Sequence, residues 1–448
     1  FKTIKNAWSI PDLRKKILFT LLIVVVFRLG AVIPVPFLNT DALEALMANV
    51  SQGGTALSYL DMLTGGAFSN ATLFAMGVSP YINSSIIMQL LTVAIPPLER
   101  MAKEGEEGRK KIATITRYVT VLLGLIQGTA YYFYLRNTTV AMTDGTVKTI
   151  AMYTSGWEQV FTAIIIIMVF TAGTALMMWL GEQINDKGIG NGISILLFAG
   201  IVSRLPTTLN TLYAYWSQAM QAPSEYGQYF FFAPFFIVLF LAVIWVIVFM
   251  NNSERRIPVQ YAKRQVGRKM YGGQSSTLPM KVNMSGVLPI IFAQSIASLP
   301  ITIWTFIGMP KEGTVSYSIY NAIDTKSVIY MVVYFIMIIG FSYFYSSIQF
   351  NPVEIANNLK KQGGFIPGFR PGQPTVQFIQ KVLNRITMFG AIYLGIVAIC
   401  PLIVGKIIGN SSLAIGGTSV IIVVGVALET VKALENQMLM RQYKGFLE

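Results

Sequence analysis

The chain has 448 residues, of which 54% are hydrophobic and only 12% charged. That is about half the ~25% charge of soluble domains, too little to cover a water-facing surface, so a soluble multidomain enzyme, a disordered scaffold and a coiled coil are excluded and membrane immersion is left. A net charge of +14, no His and the single Cys400 further exclude His-based metal sites, bases and proton relays, a Cys-rich metal site and an internal disulfide.

The chain opens with Lys2 and Lys5 and shows no short apolar stretch followed by a small-residue cleavage site, so no removable signal peptide is expected. A crossing helix needs about 20 apolar residues. Ten runs serve: 17–33, 71–95, 112–135, 160–180, 193–205, 229–250, 287–307, 327–349, 378–403 and 413–434. The fifth is the shortest. Ten spans put both termini on one side. That side, with loops near 96–111, 181–192, 251–286 and 350–377, holds 27 of the 34 Lys and Arg; the opposite side holds six, and Arg28 lies within the first span. By the positive-inside rule the basic side, and both termini, are cytoplasmic.

After the first span comes 55–68, where Leu57, Leu60, Met62 and Leu63 give an apolar face and Gly65-Gly66 an end. The stretch is too short to cross. It either rests on the membrane interface or folds back into a cavity. The second span holds Gly77 and Pro80 and then Asn83, Ser84, Ser85 and Gln89. A break near 77–80 is expected, because Pro removes a helix hydrogen bond. Small polar residues there either line a cavity or join helices.

The two halves of the chain repeat. Ile189-Gly-Asn-Gly-Ile-Ser-Ile near the end of the first five spans matches Ile415-Gly-Gly-Thr-Ser-Val-Ile near the end of the second five, at an offset of about 226. The second span of each half carries Pro followed by small polar residues, as in Leu288-Pro-Ile-Ile-Phe-Ala-Gln-Ser. Five spans per half invert the second copy, and the interface of inverted halves is where a pathway belongs. The helices there offer Ile82, Ile86, Ile189, Ile193, Ile291 and Ile422. The pairs 82/86 and 189/193 are spaced i, i+4, so each shares one helix face. An Ile ring forms a constriction that dewets and grips without selectivity; ordinary bundle packing accounts for the same composition.

Two loops on the basic side are long enough to project. In the first, the extended stretches 257–262 and 277–283 flank Gly272-Gly273, which predicts a β-ribbon. The second carries Lys360-Lys361 and then a turn stiffened by Pro367 and Pro371 that presents Arg370. Docking to a large acidic partner, protein or ribosomal RNA, fits both loops. There is no phosphate-binding Gly-x-x-x-x-Gly-Lys-[Ser/Thr] motif and no nucleophile–base set, so the protein is not expected to be an enzyme and a partner must supply energy.

These residues bring a family into view. The chain resembles the SecY family, the channel subunits of the bacterial Sec translocon, along its whole length. The resemblance rests on Gly77-Val-Ser-Pro-Tyr-Ile-Asn-Ser-Ser-Ile-Ile, Glu104-Gly-Glu-Glu-Gly-Arg-Lys-Lys, Trp179-Leu-Gly-Glu-Gln-Ile, Gly188-Ile-Gly-Asn-Gly-Ile-Ser and Glu254-Arg-Arg-Ile-Pro-Val-Gln-Tyr-Ala. It rests equally on Lys281-Val-Asn-Met-Ser-Gly-Val-Leu-Pro, Asn351-Pro-Val-Glu-Ile-Ala-Asn-Asn-Leu-Lys-Lys, Gly368-Phe-Arg-Pro-Gly and Gly416-Gly-Thr-Ser.

The resemblance implies an all-α integral membrane protein of ten transmembrane helices, in two inverted five-helix halves around a central pore, with a cytosolic β-ribbon loop. The halves would be 1–204 and 229–434, hinged at an external loop 205–228, with a cytosolic tail 435–448. The six isoleucines would be the pore ring. The plug would be Leu57, Ser58, Tyr59, Leu60, Asp61, Met62, Leu63, Thr64, Gly65 and Gly66. The lateral gate, through which signal sequences and membrane helices reach lipid, would be Asn83, Ser84, Ser85 and Gln89 facing Gln294, Ser295 and Ser298. Arg255, Arg256, Lys263, Arg264, Lys360, Lys361 and Arg370 would dock the SecA ATPase or the ribosome. SecE and SecG would be small membrane partners, no cofactor is implied, and the setting would be the bacterial plasma membrane. The function implied is a passive protein-conducting channel for translocating polypeptides. The alternative is a secondary transporter with inverted repeats, which would want an acid or His at mid-membrane; no Asp or Glu sits at the centre of a span.

Overall fold

The computed structural model describes residues 2–39, 42–43, 61, 64–141, 147–153, 155–221, 228–261, 264–266, 269–271, 275–284, 286–307, 314–324, 327–408 and 416–444. Leu57, Ser58, Tyr59, Leu60, Met62, Leu63 and Lys263, named above as plug and docking residues, lie outside the described residues.

The first half runs α1 (Lys2–Ser9), α2 (Pro11–Gly30), α3 (Ser79–Ala94), α4 (Pro96–Lys103), α5 (Glu106–Asn137), β1 (Thr139–Ala141), β2 (Val147–Thr149), α6 (Gly156–Lys187), α7 (Gly192–Ser203) and α8 (Leu205–Gln221). The second runs α9 (Gln228–Asn252), β3 (Glu254–Tyr261), β4 (Arg264–Val266), β5 (Lys269–Tyr271), β6 (Ser275–Lys281), α10 (Leu288–Ile307) and α11 (Val315–Ile323), then α12 (Val328–Gln349), α13 (Pro352–Lys361), β7 (Gly364–Phe365), α14 (Gln373–Ile408) and α15 (Gly416–Lys444). Every expected span overlaps a helix. Among the described residues six helices are long and apolar enough to cross a membrane, or seven if α3 and α4, bent by 101°, count as one. Their outward faces are apolar: Trp245 and Leu241 on α9, Ile164 and Met168 on α6 and Ile336 on α12 are all exposed, a surface that lipid covers.

Two boundaries differ from the sequence reading. The run 71–95 is not one helix. Residues 64–78 form successive turns, and α3 starts only at Ser79, with Pro80 in its first turn. Pro suits that place, since its missing N–H would have no helical partner there. Gly77 turns the chain at φ +54, and a Cβ would meet Thr64 Cγ2 at 2.6 Å. Nor is 205–228 wholly a loop. Its Thr- and Ser-bearing start is helical, because Thr207 and Thr211 hydroxyls bond back to the carbonyls of Arg204 (2.7 Å) and Thr207 (2.9 Å). α7 and α8 together make a 30-residue span, Gly192–Gln221.

One apolar core draws on both halves of the chain: Ile23 and Phe27 of α2, Met177 and Leu180 of α6, Ile247 of α9, Tyr334 and Ile338 of α12 and Leu394 of α14 all join it. A second core, Phe68, Met76, Tyr131, Leu135 and Phe170, lies around the 64–78 turns. That segment's backbone is partnered by its neighbours. Leu73 N–H donates to Ile33 O (3.0 Å), Val35 N–H to Ala71 O (3.1 Å), and Tyr131 OH to Phe68 O (2.8 Å).

Helices approach one another at small residues, as membrane bundles do. A Cβ on Gly173 of α6 would lie 1.9 Å from Leu73 O, so the turns pack directly on the α6 backbone. Gly173→Val is therefore expected to destabilise the purified protein by about 1–3 kcal/mol, the usual cost of overpacking. A lowered midpoint in detergent thermal unfolding checks this; an unchanged midpoint would show that the contact is not tight.

Candidate functional site

The predicted neck residues do not all meet. Ile82 and Ile86, one turn apart on α3, Ile291 on α10 and Ile422 on α15 are buried in the same apolar core. Half-buried Ile193 packs against it. Ile189 goes elsewhere, with Ala7, Leu13 and Leu434. The reason is local. α7 is capped by Asn191, whose side chain accepts from Ser194 N–H (3.3 Å), so the helix begins at Gly192 and Ile189 precedes it. Its backbone N–H donates to Thr20 Oγ1 (3.2 Å), and Gly190 turns the chain at φ +75. The shared face expected for 189 and 193 does not exist. Ile195 of α7 and Ile290 of α10 belong to the core instead; once the helix start is fixed by the Asn191 cap, their periodicity identifies them.

The predicted gate residues divide into two groups. α10 touches both α3 and α5. Ser84 is turned away from α10: its hydroxyl lies 2.6 Å from Thr120 Oγ1 and 3.3 Å from Thr116 O, fastening α3 to α5. Gln294 donates to Tyr330 OH (3.1 Å), fastening α10 to α12. Ser298 donates to Ser295 O in its own helix (3.1 Å). Asn83, Ser85, Gln89 and Ser295 are half-buried, and Gln89 donates to Ser85 Oγ at 3.4 Å. Thus Ser84 and Gln294 join helices within a half, and the half-buried group is free of that duty.

Of the predicted plug, Asp61, Thr64, Gly65 and Gly66 are described. Thr64 Oγ1 donates to Asp61 O (3.1 Å) and accepts from Phe68 N–H (3.1 Å). Asp61 is buried and paired with Arg204 at the end of α7, while Arg28 donates to Gly65 O (3.3 Å). Sequence reading placed Asp61 in the plug, Arg204 at the end of the fifth span and Arg28 within the first span, and did not join them. The available signal was Arg28 itself, a cation within an apolar run with no partner near it in sequence.

The two projecting loops are one structure. β3 pairs antiparallel with β6 over seven residues, confirming the ribbon, and β7 from the second loop adds to β3 through Gln260↔Phe365 and Tyr261↔Gly364. Gly364 is needed there, since a Cβ would meet Tyr261 Cε1 at 2.9 Å. Ile257, Val259, Met280, Ala356, Leu359, Ile366, Ile379 and Leu383 close a core beneath the sheet. Arg255, Arg256, Lys360, Lys361 and Arg370 are exposed on this platform; Arg256 pairs with Glu254 (2.7 Å), and Arg264 lies in the small β4–β5 hairpin. Lys360 and Lys361 occupy the last turn of α13, where the helix dipole favours cations. Arg370 is held from below: buried Thr375 donates its hydroxyl to Arg370 O (2.8 Å), and Phe369 packs on Phe378 with centroids 4.2 Å apart.

The SecY family matches residues 72–431. A protein translocase subunit SecY from Streptomyces scabiei is 43% identical over 443 residues, covering 99% of this chain and 98% of that protein. The fold is shared with a solved structure described as that of a protein conducting channel, at 18% identity, a TM-score of 0.62 and 97% of each chain. It is shared too with a SecY structure whose plug domain is described as stabilising the closed state of the translocation channel and maintaining a membrane seal, at 17% identity, TM-score 0.63 and 97% of each chain.

The Thr375 anchor yields a test of platform rigidity. Thr375→Val keeps the shape and removes the bond to Arg370 O, so limited chymotrypsin cleavage after the exposed Phe369 is expected to speed up several-fold, as local opening becomes easier. Unchanged cleavage would mean that the prolines alone hold the turn.

Proposed function

The chain belongs to the SecY family, and from that premise we propose that it forms the protein-conducting channel of a bacterial plasma-membrane translocon, passing unfolded polypeptides across and releasing apolar helices sideways. One observation carries the reading. Ile82, Ile86, Ile291 and Ile422, drawn from both halves of the chain, are buried in one apolar core with Ile193 packed against it, and no Asp or Glu sits at the centre of an expected span. A branched aliphatic neck excludes ions by dewetting when closed, and when parted it offers no selective contact to any particular side chain. That suits a conduit that must seal and yet accept many sequences. A secondary transporter would need an ionisable group at such a place.

The other roles follow from position. Residues 57–66 stop the external mouth, as the plug named in the solved SecY structure does. Signal sequences leave between α3 and α10, where half-buried Asn83, Ser85, Gln89 and Ser295 tolerate repeated wetting better than a sealed apolar seam. The two inverted halves part about a hinge following α8. The platform faces the cytosol with both termini, as the excess of basic residues on that side supports. Its Arg255, Arg256, Lys360, Lys361 and Arg370 engage the SecA ATPase or the ribosome, and SecE and SecG complete the membrane complex. Chemical energy comes from those partners, since the channel is not an enzyme.

Two measurements test this. Ile86→Asn combined with Ile291→Ser is expected to raise resting ion current through the purified complex in planar bilayers by at least about tenfold; unchanged current would remove these residues from the neck. Arg370→Glu is expected to slow motor-driven import into vesicles by about tenfold, the cost of reversing a docking charge, without raising resting current. Normal import would assign docking to other residues.

A further inference from the structure

The outer end of the first half contains a charged cluster that the channel reading leaves unused. Arg204 caps the C-terminus of α7, and its guanidinium reaches the carboxylate of Asp61 across 143 residues of sequence. The pair is poorly hydrated, with side-chain exposures of 12% for Asp61 and 32% for Arg204. The other Asp61 oxygen accepts from Ser69 N–H at 2.7 Å, so one carboxylate ties Asp61 both to Ser69 and to the end of α7. Arg28, in the last turn of α2, donates to the carbonyl of Gly65 (3.3 Å). The backbone of Gly65 and Gly66 lies against both arginines. A Cβ on Gly65 would be 2.7 Å from Arg28 Nη1, 2.8 Å from Ser203 Oγ and 2.9 Å from Gly200 O, and one on Gly66 would be 3.1 Å from Arg204 Nη2. At φ +66 and +96 these are conformations that glycine adopts without strain.

We propose that Arg204 and Arg28 are positioning residues that latch the plug to the first half of the channel at rest, with Asp61 as the bolt. The inference rests on residues 57–66 being the plug. When the segment leaves, Asp61 and the Gly65 carbonyl withdraw together, and two guanidinium groups remain near one another without the carboxylate and carbonyl that met them. Like charges there disfavour the vacated state and draw the segment back. All the partners, Asp61, Ser69, Gly200, Ser203, Arg28 and Arg204, come from the first half. Separation of α3 from α10 therefore leaves the latch intact, and plug release is a step distinct from opening of the lateral gate.

Resting ion conductance of the purified complex in planar bilayers tests the latch. Asp61→Asn and Arg204→Gln should each raise the resting open fraction roughly tenfold, as loss of one member of a desolvated pair does. Should charge removal prevent assembly, Arg204→Lys keeps the charge, loses the planar fork and should raise the open fraction about threefold. Parent-like conductance in the single variants overturns the latch. Deleting residues 57–60 separates this from the reading beneath it. A leak after deletion with a tight Asp61→Asn channel sinks the latch alone, whereas a tight channel after deletion sinks the plug assignment.

Discussion

The constraint on which the rest depends is that backbone polar groups within a bilayer must be partnered by protein. Most of the chain meets it by being helical. Residues 64–78 do not, and they lie between two spans. Their carbonyls and amides are met by Ile33, Val35 and Tyr131. Their side chains Ala67, Phe68, Ala71, Phe74 and Ala75 are buried. α6 admits them only because Gly173 leaves the Leu73 carbonyl room. The first half is in this sense built around an irregular segment. That segment delivers Ser79 to the start of α3, and so sets the depth and rotation of Ile82 and Ile86. The neck depends on a turn that is not itself part of it.

The same economy explains why the polar residues of α3 and α10 behave differently from one another. In hydrocarbon, a hydroxyl or amide on a helix must find an acceptor, and interhelical bonds of this kind hold helices in fixed rotation. Ser84 with Thr120, and Gln294 with Tyr330, serve that purpose inside each half. Ser346 and Thr387 do the same between α12 and α14, at 2.9 Å. These three cross-links sit within halves and fix the rotation of α3 and α10 against their own neighbours.

Much of this was legible in the sequence, and the failures are instructive. Each expected span overlaps a helix, because apolar length is imposed by the membrane. Glycines flanked by extended residues located the β3–β6 ribbon. Ile189 and Ile193 do not share a helix face, because i, i+4 spacing has meaning only inside a helix, and that helix starts at Gly192, three residues after Ile189. The 205–221 helix was missed because Thr and Ser lower hydropathy without preventing helix formation when their hydroxyls bond back to the preceding turn. The union of the two projecting loops was hidden for another reason: β7 is two residues long, and nothing in so short a stretch marks it as a strand. The Asp61–Arg204 pair spans 143 residues, and no local pattern carries such a contact.

That union of loops also bears on how the platform and the neck communicate. α14 begins in the platform, where Ile379 and Leu383 are part of its core, and continues without interruption to Leu394 and Val397 in the central apolar core. On the other side of the sheet, α9 contributes Ile247 and Met250 to the central core and passes at Ser253 directly into β3. Asn251, at that junction, accepts from Asn283 at 2.8 Å and from Lys432 of α15 at 3.4 Å. The sheet is therefore held between two spans, and a third is tied to their junction. An α-helix resists axial compression and bending over such lengths, and packed side chains transmit displacement because interiors are not compressible. A load applied at Arg370 enters α14 three residues before its first turn. It reaches residues that share a core with Ile291 and Ile422, so the proposed docking platform and the proposed neck are joined by the same rigid elements.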